Sequence, residues 1–272
     1  MINHAAALIE KVREQKPLVH HITNYVTVND CANITLAIGA SPIMADALAE
    51  AADIASISKT VVLNMGTLNE RTIPSMLAAG KAANSKGIPV VFDPVGAGAS
   101  SLRNETVRQI LNEVDITIVR GNISEIRYIA GLSASTKGVD ASDSDMSDDS
   151  SALEVARITA QKLGCVAAIT GAVDYISDGV NGWRIENGHP MLAGLTGTGC
   201  MCSSLLGSFC GAAPDEPLTA SIAALLTMGI AGELAYEKAG TSGNGSFRAA
   251  LHDAVSRMDS KTLLGRAKLY EA

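Results

Sequence analysis

The segment PVVFDPVGAG, residues 89–98, decides how this chain folds. Its first four residues form a short, wholly apolar run, which is how a strand buried on both faces reads. The run stops at Asp93, a glycine-rich turn follows, and helical periodicity resumes over residues 104–114. The same unit recurs on either side. Upstream, TVVLN at residues 60–64 ends at Met65-Gly66-Thr67 before a helix over 69–86. Downstream, residues 116–119 end at Arg120-Gly121-Asn122 before a helix over 123–130. Strand, turn and helix in strict alternation predict a parallel sheet covered on both faces, with ligands at the carboxyl ends of its strands. Those ends carry Gly66, Asp93, Arg120, Asn122 and Glu125.

Working outward, residues 3–15 read as an amphipathic helix closed by Pro17, and residues 18–22 as a strand. That strand passes through Thr23-Asn24 into a helix reaching Ile38, which Gly39 stops. His20, His21 and Asn24 gather at this turn. Residues 40–44 are extended and 47–58 helical. Residues 131–151, rich in Ser and Asp, read as a solvated, mobile loop that caps a helix over 151–163. A strand over 165–170 follows. Residues 175–185 then read as an antiparallel hairpin turning on Asp178-Gly179. A helix over 217–238, a flexible link at 240–245 and a helix over 246–258 complete the chain, and no repeat is visible. The expectation is one domain spanning residues 1–272, of α/β class, its mostly parallel sheet carrying an antiparallel edge.

Composition narrows the function. Apolar residues make up 47% of the chain but aromatics only 3%, so the core must be assembled from Ala, Ile, Leu, Val and Met in close contact. With 21 basic and 28 acidic residues, a net charge of −7 and no basic stripe, nucleic acid is not an expected partner. The N-terminal helix is interrupted by charges, and no unbroken run of about 18 apolar residues, the length of a membrane span, occurs elsewhere. A cytoplasmic protein with no membrane partner is expected. The five cysteines match no metal spacing.

A second decisive stretch is LTGTGCMCSSLLGSFCG, residues 195–211. Gly197 and Gly199 permit positive φ and close backbone approach, and a helix starts directly behind them, so its free N–H groups would form an anion site. A glycine loop that merely joins two packed elements has the same local sequence. Cys200 sits where a helix terminus would favour a thiolate. Taken together, Asp93, Arg120, Asn122, Glu125 and this turn suit phosphoryl transfer. Carboxylates can hold Mg²⁺, a guanidinium can neutralise phosphate oxygens, and backbone N–H groups can hold the charge on the moving group. For a strand-end carboxylate alone, or for Arg120 with Glu125 alone, a helix cap or a structural ion pair is the better explanation. Their placement on successive strand ends favours a site. A dinucleotide-dependent dehydrogenase is disfavoured, because no G-x-G-x-x-G follows the first strand.

At these residues the sequence resembles the hydroxyethylthiazole kinases, a thiamine-salvage branch of the ribokinase-like superfamily. The likeness runs through PLVHHITNYV, GASPIMA, LNMGTL, PVVFDPVGAGAS, RGNISEI, AITGAVD and LTGTGC. The Ser/Asp loop and the last dozen residues fall outside it. The resemblance implies a three-layer α/β/α fold and transfer of the γ-phosphate of ATP to the primary alcohol of 4-methyl-5-(2-hydroxyethyl)thiazole, with Mg²⁺. A sister kinase acting on another small alcohol, such as hydroxymethylpyrimidine, is the nearest alternative, and a catalytically silent sensor a remoter one. The resemblance makes Asp93 and Glu125 metal-and-phosphate carboxylates, with Asn122 completing an N-x-x-E motif. It makes Arg120 and Thr170 ATP-binding residues, with Gly199 in the phosphate turn. Met44 and Gly197 become thiazole contacts, with Asn24, Val26 and Gly66 in the same pocket. It further implies a homotrimer with sites at subunit boundaries, where Met44 would serve a neighbour. Cys200 stands where the wider superfamily has an aspartate base, and it either takes the alcohol's proton or lines the pocket.

Overall fold

The protein is described by a computed structural model over residues 1–132 and 149–272. One nine-stranded sheet runs through it in the order β2-β1-β3-β4-β5-β6-β7-β8-β9. Strands β1 (Leu18–Ile22), β2 (Ser41–Ile43), β3 (Thr60–Asn64), β4 (Val90–Asp93), β5 (Ile118–Gly121) and β6 (Val166–Ile169) are parallel. Strands β7 (Asp174–Ser177), β8 (Gly182–Ile185) and β9 (Leu269–Glu271) continue antiparallel at one edge. The expected mostly parallel sheet with an antiparallel edge is what forms.

Alternate residues of each strand feed two separate cores, which makes three layers. Val62, Val91 and Ile118 face a cluster built with α1 (Ile2–Gln15), α2 (Val28–Ile38), α8 (Thr198–Ala212), α9 (Pro217–Ala239), α10 (Asn244–Ser256) and α11 (Ser260–Arg266). Val61, Leu63, Phe92 and Val119 face the cluster of α3 (Leu48–Ile57), α4 (Thr72–Ser85), α5 (Ser101–Glu113), α6 (Ile123–Ala130) and α7 (Asp149–Leu163). The scarcity of aromatics has its counterpart in α8, which lies almost directly on the sheet. A Cβ on Gly207 would come within 2.5 Å of Val62 Cγ2, so only glycine lets the helix backbone sit this close. Among the described residues one helix segment, residues 217–242, is long and apolar enough to cross a membrane, and 83% of its most apolar window is buried inside the protein.

Several boundaries differ from the sequence reading. Helix α2 opens at Val28, leaving Tyr25 and Val26 exposed in a turn. Helix α5 opens at Ser101, because the Ser100 side chain accepts the Arg103 N–H and caps it. The hairpin loop has four residues rather than two, since Asp178 Oδ1 accepts the N–H groups of both Val180 and Asn181. The expected Ser/Asp-rich loop lies almost wholly outside the described residues, and α7 opens at Asp149. Strand β9, helix α11 and a 3-10 turn at Pro190–Gly194 are additions.

Candidate active site

Strands β3 and β4 end side by side, with Asn64 and Asp93 as register partners. Asp93 is fully buried. Its Oδ2 accepts from Asn64 Nδ2 at 2.8 Å and from Ser203 Oγ of α8 at 2.7 Å, and it faces Arg120 Nη1 at 3.5 Å. Its Oδ1 is buried and has no hydrogen-bond partner. Burial pushes the Asp93 carboxyl up, while Arg120, Ser203 and Asn64 draw it back. Arg120 reaches this point from β5. Its Nη2 donates to Thr170 Oγ1 at the end of β6, while Nε has no partner. Burial is the largest influence and opposes the guanidinium charge, but Asp93, with smaller contributions from Cys202, Glu125 and Cys200, more than offsets it, so Arg120 stays firmly protonated.

The glycine turn meets the same group from the other core. Gly197 has φ 87° and stands at the N-cap of α8, and a Cβ there would come within 2.5 Å of Thr27 Cγ2. Positive φ was expected of Gly199 as well, and only Gly197 of the pair has it. Gly199 is already inside the helix, and its small size serves Arg120 instead. A Cβ at Gly199 would stand 2.6 Å from Arg120 Nη1. No side chain caps α8, so its first-turn N–H groups remain available to an anion.

Cys200, partly exposed, is flanked by two amides. Asn24 Nδ2 lies 3.1 Å and Asn64 Nδ2 3.4 Å from its sulfur. Burial and the nearby Asp93 charge push the thiol up, despite the helix terminus and the neighbouring hydrogen bonds. The same amides tie the loops together. Asn64 Oδ1 accepts from Asn24 Nδ2 and from the Gly66 N–H, and Asn24 Oδ1 accepts from the Thr27 N–H and hydroxyl. Asn24 and Gly66 therefore line the same corner as Cys200.

The N-x-x-E motif is a helix cap as well as a site element. Asn122 caps α6 by accepting the Glu125 N–H, and Glu125 Oε2 accepts the Asn122 N–H at 2.8 Å. Glu125 Oε1 accepts the Gly96 N–H at 2.7 Å, which joins the cap to the turn after β4. Burial first, and Asp93 second, push Glu125 up to about 7. Arg103, on α5, ties the turns after β3 and β4 together by donating to the carbonyls of Met65, Val95 and Gly66. Asp174 accepts the Gly171 N–H behind Thr170, and burial pushes it up to about 7.

Thus Asp93, Arg120, Thr170, Gly197, Gly199, Cys200, Asn24 and Gly66 belong to one connected corner, with Glu125 and Asn122 on its rim. Met44 does not join it. It follows the edge strand β2, and β1 stands between that strand and β3. Val26 is exposed in the turn before α2. Reasoning from sequence missed Asn64, Ser203, Arg103 and Asp174. Asn64 carried the same signal that singled out Asp93, a polar residue ending an apolar strand. Ser203 lies about one helical turn beyond Gly199-Cys200, and nothing in the sequence marks Arg103.

The sequence model of the hydroxyethylthiazole kinase family matches residues 9–261. The hydroxyethylthiazole kinase of Ruminiclostridium cellulolyticum is 61% identical over 97% of this chain and 96% of its own. That of Clostridium beijerinckii is 56% identical over the same shares. The solved structure of the hydroxyethylthiazole kinase from Pyrococcus horikoshii superposes with a TM-score of 0.89 at 38% identity, covering 98% of each chain. A pyridoxal kinase from Staphylococcus aureus, solved in complex with pyridoxal, shares the fold at a TM-score of 0.58 and 15% identity, over 80% of this chain and 88% of its own.

Proposed function

The chain belongs to the hydroxyethylthiazole kinase family, and we propose that it transfers the γ-phosphoryl group of ATP to the primary alcohol of 4-methyl-5-(2-hydroxyethyl)thiazole. The observation that carries the reading is the convergence of Asp93, Arg120 and the uncapped start of α8 at one end of the sheet. A carboxylate, a guanidinium and a set of backbone N–H groups around one point are what a phosphoryl group in flight requires.

In this reading Arg120 and Thr170 bind the nucleotide phosphates, and the N–H groups following Gly197 and Gly199 receive the γ-phosphoryl. Asn24, Gly66 and Gly197 bound the alcohol's pocket. Mg²⁺ fits the residues present. Among the described residues no group of three or more His, Cys, Asp or Glu forms a dedicated cage. Mg²⁺ in nucleotide sites instead uses one or two carboxylates, substrate phosphates and water. The unpartnered Asp93 Oδ1 and the carboxylate of Glu125 would hold it. When bound it would neutralise charge on the phosphate oxygens.

Cys200 acts as a pocket-lining thiol in this proposal. A group whose proton is held more tightly than in an ordinary cysteine is a poor base at neutral pH, and a loose phosphoryl transition state asks little of a base. We extend the proposal to one kinase domain over residues 1–272, located in the cytoplasm and assembled as a homotrimer. Exposed Tyr25 and Val26, and the position of Met44 beyond β1, support a pocket completed by a neighbouring subunit.

The test is ADP release by purified protein given ATP, Mg²⁺ and the thiazole alcohol. Thiazole-dependent ADP is expected, and its absence would sink the reading. Competition with hydroxymethylpyrimidine separates the sister activity, because a sister kinase would prefer the pyrimidine.

A further inference from the structure

Asn64 touches both halves of the proposed site, and its amide can be oriented only one way. Its Oδ1 faces two donors, Asn24 Nδ2 at 3.1 Å and the Gly66 N–H at 2.9 Å. Its Nδ2 faces two acceptors, Asp93 Oδ2 at 2.8 Å and Cys200 Sγ at 3.4 Å. Turning the amide over would set donors against donors and an oxygen against a carboxylate. Ser203 completes the arrangement from α8 by donating to the same Asp93 oxygen at 2.7 Å. Oδ2 is therefore saturated, and the buried Oδ1 is left as the carboxylate's open coordination point.

We infer that Asn64 and Ser203 are positioning residues for phosphoryl transfer. Together they fix the Asp93 carboxylate so that Oδ1 is presented to the metal–nucleotide. Asn64 additionally locks the Asn24 and Gly66 walls of the alcohol pocket to that carboxylate, so the alcohol and the phosphoryl group are set in one frame. The residues make different predictions because their contacts differ. Ser203 touches the carboxylate and not the alcohol pocket, whereas Asn64 touches both. The inference rests on Asp93 being the metal-facing carboxylate.

The test measures Mn²⁺ binding by electron paramagnetic resonance in the presence of a non-hydrolysable ATP analogue, together with steady-state kinetics. It is applied to folded wild type, Ser203→Ala, Asn64→Ser and Asp93→Asn. Side chains that orient a metal ligand change metal affinity by about 10- to 100-fold when removed. Ser203→Ala is expected to weaken Mn²⁺ binding by about tenfold and to lower kcat with the thiazole KM unchanged. Asn64→Ser is expected to weaken Mn²⁺ binding and to raise the thiazole KM as well. Wild-type Mn²⁺ affinity in both variants, alongside lost affinity in Asp93→Asn, overturns the positioning role and leaves the metal site standing. Wild-type affinity in Asp93→Asn overturns the metal reading itself. Lower melting temperatures with unaltered affinity, kcat and KM would show that Asn64 and Ser203 are structural only, and this too overturns the inference.

Discussion

The guanidinium of Arg120 occupies the space that any side chain on Gly199 would need, with Nη1 only 2.6 Å from the position of a Cβ there. The glycine thus leaves space for a charge rather than serving as a hinge, since its backbone is helical and φ is not positive. Gly199→Ala is expected to displace Arg120 from Asp93 and Thr170. Alanine favours a helix by about 1 kcal/mol over glycine, but parting the buried Arg120–Asp93 pair costs about 3 kcal/mol or more, so the melting temperature should fall. The ATP KM should rise about tenfold, the size of one charge-assisted contact of roughly 1.5 kcal/mol. Unchanged ATP kinetics would show that Arg120 does not bind nucleotide from this position.

Removing Asp93 should damage both chemistry and fold. The residue is fully buried, and its loss leaves Arg120 charged beside the unpaired donors of Ser203 and Asn64. Asp93→Ala is expected to lower kcat by orders of magnitude and to cost roughly 3 kcal/mol or more, as breaking one side of a buried pair does. Single-turnover rates and chemical denaturation check the two effects separately. A variant with wild-type stability would mean that Arg120 finds another partner.

The strands were legible because each is a short apolar run on which both cores depend, so TVVLN, PVVF and CVAAIT could be read without knowing their neighbours. The strand-end rule also found Asp93 and Arg120. It should have found Asn64, which ends β3 opposite Asp93, but an asparagine at a turn is common and its two partners lie on remote segments. Ser203 looked like one more small residue in a packed helix, and only the approach of α8 to β4 gives its hydroxyl a carboxylate. Strand β9 was hidden for a similar reason. Its pairing with Trp183 to Ile185 joins positions far apart in sequence, and three residues carry no period of their own. The Asp178 hairpin was misread locally, because the aspartate side chain, which takes two loop N–H groups, sets the loop length rather than the Asp-Gly dipeptide.

Asp174 should make stability depend on pH in a direction opposite to most surface carboxylates. Its folded value is about 7, above the ordinary aspartate value of 3.8, because burial disfavours the charged form. The folded state therefore holds a proton that the unfolded chain releases. That contribution is fully present below about pH 4 and is lost as pH rises through 7. Asp174→Asn keeps the oxygen that accepts the Gly171 N–H and removes the titration. Denaturant midpoints measured from pH 4 to 8 should show wild type losing stability relative to the variant as pH rises. Parallel curves would place the ionisation elsewhere.

Cys200 offers a direct measure of what its sulfur can do. It is the one cysteine of the five that is not buried, so alkylation of the native protein reports on it. Burial and the Asp93 charge raise its pKa, so the thiolate fraction at pH 7.5 should be below that of a free cysteine. Iodoacetamide should react slowly at that pH and faster only as pH climbs past the ordinary thiol range. Fast labelling at neutral pH would reveal a thiolate and return the proton-accepting role to Cys200. The kinetic counterpart uses two substitutions. Cys200→Ala should lower kcat only modestly if the thiol merely lines the pocket between Asn24 and Asn64, because those amides keep each other's company through Asn24 Nδ2 and Asn64 Oδ1. Cys200→Asp puts a carboxylate where two amide donors already point, which should hold it ionised and able to accept the alcohol's proton. Activity equal to or above wild type in the aspartate variant, with a modest loss in alanine, is the expected pattern. A loss of several orders of magnitude in the alanine variant would instead make the thiol part of the chemistry.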